Sequence, residues 1–405
     1  MALYNYKARD AAGKAVKGSM EAATRIELID KLQKMGYMAT RVSEAARSPL
    51  DIASFFDKFK WISSGDMLMF YIQLSNMISA GITLLTGLAT LAKQAENIHL
   101  KDAFSDVSRQ IESGSTLSQA FANNPRIFSR LFINMVKAGE ASGKLDAVLS
   151  RYASFFERQE DLKQKIKGAL FYPVILFSFG IAVTLFIVTF VIPQFAEIYI
   201  KAGVALPTPT LIVYKAGLAI KSYWYIFLAG LIVIIGGFKF YAATPGGILF
   251  LDTLKLRAPI VGPLYRKVAV SRFARTLGTL LGSGVPILES LDITRDIIGN
   301  EVLARAIASV RQYVEKGEKM SEPMKVSAEF PADVIQMVAV GEETGNVDMM
   351  LEKIADFYDM MVDHAVKKLT TIIEPIFLVI MGVMVGTIMA SMLMPIFDMV
   401  KTLRR

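Results

Sequence analysis

The sequence predicts an all-α membrane protein with two tandem six-helix cytoplasmic bundle domains, three transmembrane helices and a small αβ module at its N-terminus. Three observations predict this. Charged residues vanish between Lys167 and Glu197, between Lys221 and Lys239, and between Glu374 and Asp398. A long segment starting near Phe70 returns near Phe273. Hydrophobic residues make up 53% of the 405, and charged residues only 20%, whereas soluble chains are about 45–50% apolar and about a quarter charged.

Residues 1–45 form the αβ module. Leu3, Tyr4 and Tyr6, the turn Asp10–Gly13 and Ala15–Ser19 read as a hairpin, Ala22–Met35 as a helix ended by Gly36, and Ala39–Ser43 as a returning strand. An irregular linker, 46–65, follows through Ser48 and Pro49. The first helical repeat covers 66–168 and the first span 169–193. A loop at 194–221, a second span at 222–241 and a connector at 242–268 lead to the second repeat at 269–371. The third span covers 372–395 and a tail 396–405.

The repeat is explicit. FYIQLSNMISAGITLLTGL from Phe70 matches FARTLGTLLGSGVPILESL from Phe273, and IESGSTLS from Ile111 matches VEKGEKMS from Val314. After a one-residue deletion, MVKAGEASGKLD from Met135 matches MVAVGEETGNVD from Met337, Pro173 meets Pro375, and Pro193 meets Pro395. Met67, Phe70, Tyr71, Leu74, Met77 and Ile78 recur at helical spacing, as do Val270, Phe273, Ala274, Leu277, Leu280 and Leu281. Glycine breaks at Gly114 and Gly317, and at Gly143 and Gly345, divide each repeat into about six helices, the last running into a span.

A helix needs about 20 apolar residues to cross the hydrocarbon core. The outer two runs meet this, and Lys239 at the end of the middle run can snorkel. Two equivalent repeats, each followed by a span, must face the same way, so the middle span returns the chain. Lys and Arg flank the cytoplasmic ends of spans. Arg158, Lys163, Lys165 and Lys167, then Lys239, Lys255 and Arg257, then Lys367 and Lys368 place both repeats and the N-terminus inside. The C-terminus falls outside, against the weak contrary signal of Lys401, Arg404 and Arg405. The opening MALYNYKARD reads as no secretory signal, because Lys7, Arg9 and Asp10 interrupt it.

Much chemistry is excluded. Cysteine is absent and the two histidines, His99 and His364, are far apart in sequence. No thiol nucleophile, iron–sulfur cluster or His-rich metal site follows, and no cofactor or catalytic residue is assigned. The net charge of +8 suits an anionic membrane surface, an acidic partner or nucleic acid. Scattered basic residues without interleaved aromatics argue against nucleic acid. GEASGKL at Gly139 fails as a phosphate loop, having three residues between its glycines where four are needed and Leu145 where Ser or Thr is needed. Three spans without internal charges disfavour a transporter. An outer loop of about 28 residues is small for a receptor's sensor, so a membrane signalling protein is a distant alternative.

The candidate interface residues are the matched turns and matched acids. Gly139, Glu140 and Gly143 pair with Gly341, Glu342 and Gly345, and each glutamate either caps a helix N-terminus or presents charge to a partner. Glu157 and Asp161 match Asp359 and Asp363, each pair sharing a helix face. That face is solvated, docks a partner or holds a divalent cation. Gly382, Gly386 and Ala390 form a small-residue line suited to helix packing in the third span.

The tandem repeat, AGI-x-L at Ala80, SGVPI at Ser283, GEASGKLD and GEETGNVD resemble one family over essentially the whole chain. Tyr172-Pro173, Glu374-Pro375, the closing IPQF and MPIF, and the opening YKARDAAGKAVKGSMEA add to it. It is the type II secretion F and type IV pilus assembly platform family, the GspF and PilC type. The resemblance implies a non-enzymatic bacterial inner-membrane scaffold that tends to form homo-oligomers. Its cytoplasmic bundles would contact a hexameric motor ATPase. Its movement would help insert pilin or pseudopilin subunits into a filament, alongside other inner-membrane assembly proteins. The pilus version is favoured slightly, with the type II secretion platform as the alternative.

Overall fold

The computed structural model describes residues 2–9, 15–22, 25–44, 61–201, 206, 208–259 and 261–403. The hairpin turn Asp10–Gly13, most of the linker with Ser48 and Pro49, and the tail residues Arg404 and Arg405 lie outside the described residues.

The N-terminal module has strands β1 (Ala2–Arg9), β2 (Ala15–Ala22) and β3 (Met38–Glu44), with helix α1 (Arg25–Lys34) between β2 and β3. The sheet order is β2-β1-β3, both pairs antiparallel. Ala22 pairs with Ala2 at the end of β2, so the helix starts at Arg25, three residues later than the sequence pattern predicts. Leu28 and Leu32 lie one helical turn apart and are buried with Tyr4, Ala22 and Val42.

The first repeat comprises α2 (Ser64–Ser79), α3 (Leu84–Gln94), α4 (Ile98–Glu112), α5 (Leu117–Ala122), α6 (Arg130–Ser142) and α7 (Leu145–Phe186). A π turn (Ile187–Val191) and α8 (Ile192–Lys201) prolong α7. After α9 (Thr208–Ala242) and α10 (Pro245–Arg257), the second repeat gives α11 (Val261–Gly282), α12 (Ile287–Ile297), α13 (Glu301–Glu315), α14 (Ser321–Ser327), α15 (Ala332–Thr344) and α16 (Val347–Leu403). Each repeat therefore holds six helices among the described residues, the last of them long.

The two cores use matched positions and different chemistry. Phe70, Tyr71, Phe121, Phe128, Phe132 and Tyr152 are buried together in the first repeat, with Phe121 and Phe128 ring centroids 4.5 Å apart. Such tilted aromatic pairs add about 0.5–1.5 kcal/mol beyond the area they bury. At the corresponding positions the second repeat has Phe273, Ala274, Met324, Phe330, Val334 and Ile354, all buried in one cluster. Only two of the six rings are kept.

Three helical stretches, Leu145–Ile198, Thr210–Ala242 and Val347–Ala390, are long and apolar enough to cross a membrane. Helix occupies much of the 194–221 segment that the sequence pattern reads as a loop, because Ile192 and Ala196 are buried and hold α8 in place. The π turn ends two residues before Pro193, whose missing N–H and bulky ring disturb the preceding α-helical turn. Gly217 of α9 fits against this turn. A Cβ there would fall 2.2 Å from the Val188 carbonyl oxygen, closer than any side chain tolerates.

Helices α7 and α16 run side by side from Arg158 to Thr184 and from Asp356 to Met384. At one end Arg158 bonds Asp356 at 2.6 Å, and Lys165 reaches Asp363 at 3.3 Å. Within the apolar runs, Phe177 meets Phe377 edge-to-face at 4.9 Å, and the Thr184 hydroxyl lies 3.2 Å from the Met384 sulfur. Buried Gly180 is the closest approach: a Cβ on it would lie 3.0 Å from Met381 Sδ and 3.2 Å from Phe377 Cζ.

A leucine at Gly180 cannot be accommodated without separating the two helices. Gly180→Leu is expected to lower the stability of the detergent-solubilised chain by about 1–3 kcal/mol, the usual cost of overpacking. Thermal unfolding checks this, and an unchanged midpoint would show that the two spans are not packed as described.

Candidate functional site

The matched G-E-x-S/T-G turns end α6 and α15, and each residue in them has a physical task. Gly139 and Gly341 let the next helix cross closely. A Cβ on Gly139 would lie 3.2 Å from Val148 Cβ, and one on Gly341 would lie 3.0 Å from the Val347 Cα. Gly143 and Gly345 have φ of +68° and +73° and close the helices in the left-handed conformation that glycine adopts without strain. The Lys144 and Asn346 amides complete the stop by donating to the Gly139 and Gly341 carbonyls.

Glu140 and Glu342 reach across to a different helix. The Glu140 carboxylate accepts from the Leu117 amide at 2.5 Å, the Ser118 amide at 3.1 Å and the Ser118 hydroxyl at 2.5 Å. Glu342 accepts from the Met320 amide and, at 3.2 Å, from the Ser321 amide. Leu117 and Met320, and Ser118 and Ser321, are equivalent positions. Each glutamate thus caps the short fourth helix of its repeat, where unpaired N–H groups and the helix dipole favour a negative charge. In α5 the Thr116 side chain takes the next amide, that of Gln119, so the first turn is satisfied by two residues far apart in sequence. These carboxylates are half-buried, and each of their oxygens accepts at least one bond from the fold.

The acidic pairs do not stay alike. Asp359 accepts from Arg275 at 2.6 Å and from the Ser271 hydroxyl. Arg275 also bonds Asp356 at 2.7 Å, and Asp356 holds Arg158 of the first repeat. Burial opposes the charge of Arg275, but Asp359 and Asp356 outweigh it and raise its pKa above the ordinary arginine value. Asp363 and Asp161 share Lys165 at 3.3 Å and 2.9 Å, while Glu157 is exposed. The pairs are therefore split: Asp359 and Asp363 belong to a polar seam joining α7, α11 and α16, and Asp161 joins it only through Lys165. Among the described residues no group of three or more His, Asp or Glu side chains comes together that could hold a metal ion.

Ser271, Arg275 and Asp356, and the pairing role of Arg158, escaped the sequence reading. A signal exists in the repeat itself, since Arg275 stands where the first repeat has Ile72, Ser271 where it has Leu68, and Asp356 where it has Ser154. Polar residues on one copy of an otherwise apolar face mark a contact that only that copy makes. Gly382, Gly386 and Ala390 are exposed, and a Cβ added at either glycine would meet nothing within 4 Å. Packing between spans within the chain uses Gly180 instead.

Removing Glu140 by Glu140→Ala leaves two amides and a hydroxyl without their acceptor. The expected loss is about 1–3 kcal/mol, with Glu342→Ala similar and the two losses additive because they share no bond. Chemical unfolding of the purified full chain measures this. Unchanged midpoints for both variants would deny the capping role.

The turns at Glu140 and Glu342 fall within the two segments that one family matches. The family described as "Type II secretion system (T2SS), protein F" matches twice, at residues 70–193 and 273–395, and "Type II secretion system protein F, N-terminal domain" matches residues 1–43. A type IV pilus assembly protein PilC of Thermus thermophilus is 38% identical over 404 residues, covering 100% of this chain and 99% of its own. One of Myxococcus xanthus is 36% identical, covering 98% and 95%. A type II secretion system protein F of Xanthomonas campestris is 33% identical, covering 98% and 99%. Both repeats and the N-terminal module fall within these matches, and the chain belongs to the type II secretion system protein F family.

Proposed function

We propose that this chain is the inner-membrane platform of a type IV pilus assembly machine, coupling a cytoplasmic motor ATPase to the insertion of pilin subunits into a growing filament. The observation that carries the proposal is end-to-end similarity to relatives named for pilus assembly, at 38% and 36% identity. The relative named for type II secretion, at 33%, keeps the equivalent secretion platform as the second reading.

The physical organisation supports a scaffold. Both helical repeats are built around their own cores, and the last helix of each continues into a span. A force on either bundle is thereby carried by an unbroken helix. Three flanking clusters of Lys and Arg favour an orientation with the N-terminus and both repeats in the cytoplasm and the C-terminus in the periplasm. The paired bundles then face the motor, and the spans face the membrane-held subunits. The exposed line Gly382, Gly386 and Ala390 and the uncovered apolar face of α9 suit contact with other spans, either those of a second copy or those of neighbouring assembly proteins.

A clean deletion, scored in parallel for surface filaments and for secreted protein and followed by complementation, tests the reading. Loss of filaments with normal secretion is expected. Loss of secretion with normal filaments would assign the chain to the secretion system. A further check is capture of the full-length protein from detergent-solubilised membranes, in which a motor ATPase is expected to co-purify.

A further inference from the structure

A groove of about 540 Å³ lies between the start of α11 and the middle of α16. Its floor is apolar, with Leu264, Leu369 and Ile372 among the residues that line it. Its rim carries Lys267, His364 and Lys368, and no acidic side chain lines it. None of these three basic residues has an ion pair or a side-chain hydrogen bond among the described residues. The basic residues of the polar seam, by contrast, are matched to carboxylates.

The first repeat supplies an internal control. Its equivalent groove is lined by Ser64, Leu162 and Ile166 where the second repeat has Lys267, His364 and Lys368. It is also walled by α11, through Val268, Ser271 and Arg272, and its Lys163 bonds the Ser64 hydroxyl and Glu160. The same fold position therefore exists twice. In the first repeat a helix of the second repeat walls it, and Arg158, Lys163 and Arg275 among its basic residues are paired with carboxylates, whereas Lys167 has no ion pair among the described residues. In the second, the positions held by Ser64, Leu162 and Ile166 are all basic, and apolar Leu369 stands where the first has Lys167.

Position selects the ligand. Ile372 lies just before Glu374, the last charged residue ahead of the charge-free run of the third span, so the apolar floor continues into that run. Basic groups above an apolar channel that opens toward the hydrocarbon fit a molecule with an anionic head and an apolar tail. We propose that this groove binds one anionic phospholipid of the bilayer, with its phosphate on Lys267, His364 and Lys368 and an acyl chain along Leu369 and Ile372. Basic pockets beside membrane helices hold anionic headgroups in this way. The proposal requires only that α16 cross a bilayer, and is independent of the platform role.

The test uses the full-length chain, titrated in zwitterionic detergent with phosphatidylglycerol, with phosphatidylcholine and with soluble glycerol phosphate. Bound lipid is read by native mass spectrometry, and stability by thermal unfolding. Phosphatidylglycerol is expected to bind and stabilise, and the other two are not. Lys267→Gln with Lys368→Gln is expected to weaken phosphatidylglycerol binding about thirtyfold, which is about 2 kcal/mol at about 1.4 kcal/mol per decade. Lys221→Gln with Lys239→Gln, at the ends of the middle span, removes the same charge elsewhere and is expected to leave binding unchanged. Equal losses in both double variants, an unchanged affinity in the first, or equal binding of phosphatidylcholine overturns the proposal. So does a change of oligomeric state without loss of lipid, which would give the groove to a second copy. If the first double variant is unfolded in detergent alone, His364→Gln, on the exposed rim, is measured in the same way, and a wild-type affinity overturns the proposal.

Discussion

The side-by-side run of α7 and α16 is the constraint on which the join between the two repeats depends. Two long helices that must lie in water at one end and among apolar surroundings at the other cannot be joined by one kind of contact. Charge does the work at the bundle end, where Arg158, Asp356, Arg275 and Asp359 form a connected set. Isolated surface ion pairs contribute about 0–1 kcal/mol. This set is different, because the Arg275 side chain is only 11% exposed and answers two carboxylates. Further along, charge would be costly, and the contact passes to Phe177 against Phe377 and to the close approach at Gly180. Between helices in lipid, packing of this kind replaces the hydrophobic effect as the cohesive force.

The repeats show which parts of the fold resist change. The capping glutamates, their target amides and the left-handed glycines are the same in both copies, because a helix end has few ways to satisfy its N–H and C=O groups. The cores are not the same. An aromatic cluster in one copy faces an aliphatic one in the other at Tyr71 and Ala274, Phe132 and Val334, and Tyr152 and Ile354. The second copy keeps the apolar pattern at these positions with smaller side chains, so its core is filled by a different set of neighbours. The seam is also asymmetric, since it exists only where the copies meet.

Helix number, break positions and apolar runs were legible in the sequence because each is a local signal. The glycines of the G-E-x-S/T-G turns were legible for the same reason, and helix capping was one of two roles open to Glu140. Its target was not legible, because Leu117 and Ser118 lie more than five helical turns away in sequence and only the packing of α5 on α6 brings them near. The split of the matched acidic pairs was hidden for a related reason. Asp359 has Arg275 beside it, whereas the position equivalent to Arg275 in the first repeat is Ile72. The length of helix around the predicted 194–221 loop depended on burial of Ile192 and Ala196, which no periodicity reveals.

The last helix of each repeat supplies both core residues, such as Leu149 and Tyr152, and the apolar run that follows. This orders events during synthesis. A ribosome releases α2 to α6 before the residues that complete their core, and those residues emerge directly ahead of the segment a membrane must receive. The first bundle therefore cannot close until its own anchor is nearly made. Until the sixth helix emerges, the five before it expose an unfilled aromatic core, and exposed apolar surface of that kind favours aggregation. Truncation anywhere between Ser142 and Tyr152 would leave an incomplete bundle with no anchor, a product suited to rapid proteolysis.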